Sequence, residues 1–238
     1  GSIKLDLGNG WQFIDRFNIT KGKANTFGLV PNGAATTVGA VADNGTSATG
    51  AVTGNSYAGD TPVQQIGRWV VLKDIDAFTN DLAVSNQWDK LQASFGLYSA
   101  STSADDWWTL GNHAYHVLEA GGEVLDGIAC NTDDAGCGWN YDINSTGDAR
   151  TFALYSAFTY DLNNQWTFDL GLRRENHEVE YSVDEGLDGV ITKSVEYDES
   201  KTSWTFGANY AIDKDMGVFL RFNRGYKMPY FDDFRDNF

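Results

Sequence analysis

The sequence predicts an all-β protein: an antiparallel transmembrane β-barrel segment of about eight long strands with long extracellular loops, one of which carries a short helix. Three observations predict it. Apolar side chains recur at every second position over segments longer than the strands of an ordinary soluble sheet. Aromatic residues stand beside the turns, as at a boundary between hydrocarbon and water, and short connections alternate with long ones.

Taken in order, Ile3, Leu5 and Leu7 alternate with Lys4 and Asp6, and Gly8-Asn9-Gly10 turns the chain. Trp11, Phe13, Phe17 and Ile19 then alternate with Gln12, Arg16 and Asn18, with Asp15 breaking the apolar face. From Lys21 to Pro62 the chain is rich in Gly, Ala, Thr and Asn and reads as a long exposed loop that buries no core of its own. Ile66 to Ser85 returns to strand, with a frame slip between Ile75/Ala77 and Phe78/Leu82/Val84 that predicts a bulge. After a turn around Trp88, Leu91, Ala93, Phe95 and Leu97 share a face opposite Lys90, Gln92, Ser94 and Gly96.

Between 101 and 148, Trp107, Leu110, Ala114 and Val117/Leu118 fall at three- and four-residue spacing. Ser103 can cap that run, Asp105 and Asp106 fall in its first turn and Gly121 follows its end, so a helix is expected over Ala104 to Glu119. Ala149 to Val183 is a long hairpin: Phe152, Leu154, Ser156, Phe158 and Tyr160 on one face, a polar turn at Asp161 to Asn164, then Trp166, Phe168, Leu170 and Leu172. Glu180 to Tyr197 reads as an acidic loop. Trp204, Phe206, Ala208, Tyr210 and Ile212 form a further strand, and Val218, Leu220 and Phe222 follow a turn at Asp213 to Met216. If the four short turns share one side, everything from 101 to 148 lies on the other.

The net charge of -16 and the scarcity of Lys and Arg exclude nucleic acid as a partner. No apolar run is long enough for a transmembrane helix, and Gly1-Ser2-Ile3-Lys4 carries no signal-peptide core, so the true start is expected upstream. In an oxidising compartment Cys130 and Cys137 would close a small ring as a disulfide; free thiols or half of a metal site are the alternatives.

Val218 to Phe234, VFLRFNRGYKMPYFDDF, resembles the TonB-dependent outer-membrane receptors, in which an aromatic-rich strand ends in Arg-x-x-Arg-Gly-aromatic-x-x-Pro-aromatic. The motif residues here are Arg221, Arg224, Gly225, Tyr226, Pro229 and Tyr230, and Ala157 to Glu175 and Leu7 to Thr20 are similar to neighbouring hairpins of those receptors. The resemblance implies a bacterial outer-membrane location, contact with outer-membrane lipid, and a barrel of about 22 strands. It also implies a plug domain, energy from the TonB complex, and import of a scarce small-molecule ligand such as a siderophore or carbohydrate. Residues 1–238 lack a plug, a TonB-contacting segment and the remaining strands, so they are expected to be a single β-barrel domain fragment. Phe238 resembles the terminal Phe of outer-membrane proteins, but Asp232 and Asp236 break the alternation before it. The alternative is a self-contained small outer-membrane barrel serving as an adhesin or structural protein, whose lumen residues Gly96, Gly171, Gly207 and Ala211 would fill it poorly.

Candidate ligand-binding residues are drawn from the extracellular loop and the lumen. Trp107, Trp108 and Tyr115 can form a stacking platform or pack the helix onto the barrel. His113 and His116, one helical turn apart, could hold a metal or haem iron, but no third ligand stands at a suitable spacing, and no metal or cofactor is expected. Asp142-Ile143-Asn144-Ser145-Thr146-Gly147 has the opening of a calcium loop without its closing Glu, or is an Asx-rich turn. Arg173, Arg174, Arg221 and Arg224 lie at the lumen or at strand ends, where a plug or an anionic ligand would meet them. No nucleophile, base and orienting acid are linked by spacing, so no enzyme activity is expected.

Overall fold

The computed structural model describes residues 1–118, 122–126, 128 and 141–236, with the backbone alone for Asn112, His113 and Asp236. In chain order the elements are β1 (Ser2–Gly8), β2 (Trp11–Thr37), α1 (Val38–Val41), β3 (Ser47–Gly50), β4 (Ser56–Ala58), β5 (Pro62–Gln87), β6 (Leu91–Val117) and β7 (Leu125–Asp126). They continue with β8 (Tyr141–Asp161), β9 (Trp166–Glu185), β10 (Lys193–Ala211), β11 (Gly217–Arg224) and α2 (Phe231–Asp236). Eight strands make one antiparallel sheet in the order β1-β2-β5-β6-β8-β9-β10-β11, and β4-β3-β7 form a small second sheet. The main sheet is open: β1 and β11 are its two edges. The four short turns fall on one side of it, as the alternation of connection lengths predicts.

The two faces differ by height. Next to the turns one face carries Phe13, Val84, Phe95 and Leu154 and, across the next strands, Leu172, Trp204 and Phe222, brought into rows by the register. Leu154 is 55% exposed and Leu172 45% exposed, which for a belt of apolar side chains is the arrangement that hydrocarbon contact requires. On β8 the belt runs from Phe152 to Tyr160, about nine residues, the length a tilted strand needs to cross a bilayer. Asp15, which interrupts the belt on β2, accepts a hydrogen bond from Asn80 Nδ2 at 2.5 Å, so the two polar residues satisfy each other.

Beyond the belt the same face turns charged. Lys21 pairs with Asp76 at 3.0 Å and Lys23 with Asp74 at 2.9 Å. Farther round, Glu178 lies opposite Arg150 on one side and Asp198 on the other. At about 3.4 Å per residue the 27 residues of β2 or β6 reach roughly 90 Å, far more than a bilayer spans, so their distal halves stand in water.

This length corrects several sequence expectations. Ala104 to Val117 is strand rather than helix: β6 pairs with β5 as far as Val117 and with β8 as far as Leu110, and Glu119 lies outside the described residues. Its three- and four-residue apolar spacing is the superposition of two strand faces, Trp107 on one and Trp108 and Leu110 on the other. The stretch from Lys21 is strand as far as Thr37, and only 38–61 forms the α1, β3 and β4 excursion. Glu180 to Tyr197 is likewise mostly strand, with 186–192 between β9 and β10. No bulge occurs at Ile75 to Phe78, where pairing with β2 and β6 is continuous; the register shifts instead between Ile66 and Arg68. Ile75 and Ala77 face inward and Phe78 outward, so the apparent slip was a change of apolar face. Asp142 to Gly147 is part of β8 rather than a loop. Cys130, Cys137 and Phe238 lie outside the described residues.

At the distal end Val38, Val63, Val117 and Leu125 bury a small core, joined by Tyr57 and Tyr115. Glu123 locks it: the carboxylate accepts hydrogen bonds from Val52 N, Thr53 N, Thr53 Oγ1 and the Tyr57 hydroxyl, the last at 2.6 Å. These donors hold its pKa at about 2, with the Tyr57 hydroxyl contributing most.

Candidate functional site

The inward face changes character at the same height as the outward one. Level with the belt it is polar: the Tyr155 hydroxyl donates to Asp81 at 2.6 Å and Arg173 lies 5.1 Å over the Tyr98 ring. Above it the inward residues become aromatic and aliphatic, with Ile143, Val179, Tyr181 and Val183 buried as one cluster and Trp108, Tyr141 and Tyr197 packed against them. What buries them is the segment that leaves β11. Gly225 ends the strand, Pro229 cannot continue a ladder, and the chain returns across the inward wall into α2. Asp233 organises the turn by accepting from Tyr230 N at 2.9 Å and Lys227 Nζ at 2.8 Å, which hold its carboxyl below the usual carboxylate range.

The segment is fastened at several points. His177, 3% exposed, contacts the Pro229 carbonyl through Nε2 at 3.0 Å and the Thr151 hydroxyl through Nδ1 at 2.8 Å. Phe231 stacks on Tyr181 with ring centres 5.7 Å apart and planes 11° apart, and Phe234 lies 5.7 Å from Tyr197. Gly147 makes the stacking possible, because a Cβ there would stand 2.6 Å from Phe231. The Arg235 guanidinium lies 4.4 Å from the centre of the Trp108 ring and pairs with Asp232 at 2.8 Å. On the wall itself Lys73 pairs with the buried Asp106 at 2.8 Å, and its ammonium is 5.5 Å from Trp108.

Four polar atoms beneath the segment have no hydrogen-bond partner among the described residues: Asp106 Oδ1, Trp108 Nε1, Ser145 Oγ and Tyr181 Oη. Asp106 and Ser145 are direct cross-strand neighbours, Tyr181 lies opposite Gly147 two residues along β8, and Trp108 follows Asp106 on the same face. Burial pushes the Tyr181 phenol up.

A protein-family model described as "TonB dependent receptor-like, beta-barrel" matches residues 3–238. The chain belongs to this family. As a TonB-dependent receptor barrel it is a protein of the bacterial outer membrane, and the belt on its outward face is the lipid-facing surface. Two solved TonB-dependent receptors are similar to it. The ferric yersiniabactin uptake receptor FyuA of Yersinia pestis is 12% identical with a TM-score of 0.45, covering 92% of this chain and 43% of that one. The closed form of the ferric-catecholate import receptor Fiu of E. coli K12 is 13% identical with a TM-score of 0.36, covering 93% and 42%. The chain thus spans less than half the length of these receptors. No curated protein matches it.

Within this receptor barrel the sequence-predicted residues separate. Trp107 faces outward between Leu72 and Asn144, Trp108 inward, and Tyr115 packs into the distal core, so they form no common platform. His113 and His116 belong to β6, where three residues span about 10 Å rather than one helical turn, and His116 Nδ1 lies 3.1 Å from the Gly122 carbonyl. Arg221 faces inward opposite Gly207, whereas Arg224 faces outward opposite Trp204 and lies 5.3 Å over Tyr226. Arg173 pairs inward with Glu175, and Arg174 donates outward to Thr202 at 3.1 Å. Of the family motif, Gly225, Pro229 and Tyr230 turn the chain onto the wall. The sequence did not single out Lys73, His177, Tyr181 and Tyr197, and it placed Asp106 in a helix and Ser145 in a loop, where the structure has β6 and β8. A signal for part of this set exists in β9: apolar residues occupy one frame from Trp166 to Leu172 and the opposite frame at Val179, Tyr181 and Val183.

Proposed function

We propose that this chain is the part of a TonB-dependent receptor that supplies barrel wall and extracellular mouth for import of a scarce ligand, a siderophore, carbohydrate or similar compound. The observation that carries the reading is the opposed change of the two faces at one height. The outward face passes from apolar to charged where the inward face passes from polar to an aromatic wall, which separates a lipid-spanning zone from a ligand-accessible mouth above it. The position of β1 and β11 at opposite edges supports further strands completing a large barrel around a plug, rather than closure of these eight alone. Transport fits the family match, and His177, buried on the wall, is occupied by a carbonyl and a threonine hydroxyl. In a host carrying the whole receptor, growth on its limiting nutrient should depend on the receptor gene and on TonB, and a protonophore should abolish uptake. Uptake that persists without TonB would sink the proposal.

A further inference from the structure

We propose that Asp106, Trp108, Ser145 and Tyr181 form a subsite for the hydroxyl groups of a neutral, saccharide-like ligand, and that α2 covers this subsite when no ligand is present. The inference rests on the import reading and specifies its cargo.

The chemistry follows from what each orphaned atom requires. Asp106 Oδ1 only accepts, Trp108 Nε1–H only donates, and the Ser145 and Tyr181 hydroxyls do either. A carboxylate or phosphate on the ligand cannot satisfy Asp106, and an ammonium cannot satisfy Trp108. A hydroxyl donates and accepts, so adjacent hydroxyls satisfy all four atoms. Leaving such atoms buried without partners is costly, and Asp106, Ser145 and Tyr181 are 5%, 3% and 4% exposed.

Charge agrees with a neutral cargo. Around the quartet Lys73 is matched by Asp106 and Arg235 by Asp232, which leaves no net charge to attract an ion. The surroundings suit the apolar faces of sugar rings, since Trp108 and Tyr181 offer flat surfaces beside the polar atoms. Both surfaces are occupied from the lumen side by α2, Arg235 over Trp108 and Phe231 over Tyr181. A ligand can therefore reach the subsite only by displacing α2, and it replaces a cation–π contact and a ring stack with its own.

The test uses the purified full-length receptor in detergent with maltotriose, cellotriose, trigalacturonate and a ferric catecholate as calorimetric probes. At least one neutral trisaccharide should bind, and trypsin cleavage after Arg235 should accelerate as it does. Tyr181→Phe and Ser145→Ala remove hydroxyls that in the covered state face only each other, so each variant should melt close to the parent yet bind the trisaccharide about tenfold more weakly. Absence of binding by both neutral probes, unchanged affinity in both variants, or binding with unchanged cleavage at Arg235 overturns the proposal. Preferential binding of trigalacturonate or the ferric catecholate, indifferent to both substitutions, overturns the saccharide subsite and leaves the import reading standing. TonB-independent uptake removes the import reading itself.

Discussion

His177 and Gly147 show how single residues decide what the inward wall can hold. His177 ties α2's approach to β8 by spanning from the Thr151 hydroxyl to the Pro229 carbonyl. Replacing it with Leu leaves a buried carbonyl unpaired and should cost about 1–3 kcal/mol, read as a lower melting midpoint in detergent. Gly147 acts by absence: Phe231 occupies the space a side chain would take. Gly147→Leu should push the ring off Tyr181 and expose Arg235 to trypsin without unfolding the sheet. The same device recurs at Gly96, whose missing Cβ makes room for the Tyr155 ring lying across it from the neighbouring strand.

At the scale of elements, each long strand is two strands in series. Its proximal part answers to lipid and its distal part to water outside and a packed interior inside. Leu170→Lys, in the belt between Phe158 and Phe206, should cost about 2–4 kcal/mol of stability in refolding titrations into vesicles. Asn176→Lys, on the same face six residues on, should change little. The distal cap has its own pH limit. Glu123 ionises with a pKa of about 2 against an ordinary value of 4.5. A lowered carboxylate pKa means that the unfolded cap binds the extra proton as pH falls, so its stabilisation is full above about pH 4.5 and is lost as pH falls toward 2. Amide exchange across β3, β4 and β7 should accelerate over that window, and Glu123→Gln should show the acceleration already at neutral pH.

For the whole molecule, the open edges of the sheet are the main consequence. β1 and β11 each present an unpaired backbone row, a state that natural sheets cover or close. In the complete receptor their amides should be protected from exchange as strongly as those of β6, whereas the 238-residue chain alone should exchange quickly along both. Equal protection in the two samples would show that the eight strands close on themselves.

The strand alternation, the four polar turns and the aromatic residues beside them were legible because lipid contact imposes a period of two on every crossing, and a period is a local property. The lipid belt, the side on which the short turns lie and the receptor family all follow from such local pattern. The distal halves were not legible, since there the apolar residues change faces and Trp107 and Trp108, adjacent in sequence, come to opposite sides of one sheet. The sequence by itself therefore determined the wall and its membrane. The tertiary structure alone decided that the residues after Arg224 fold back onto that wall and bury Asp106, Ser145 and Tyr181 together, because that contact joins strands far apart in the chain and depends on register, which no short window of sequence contains.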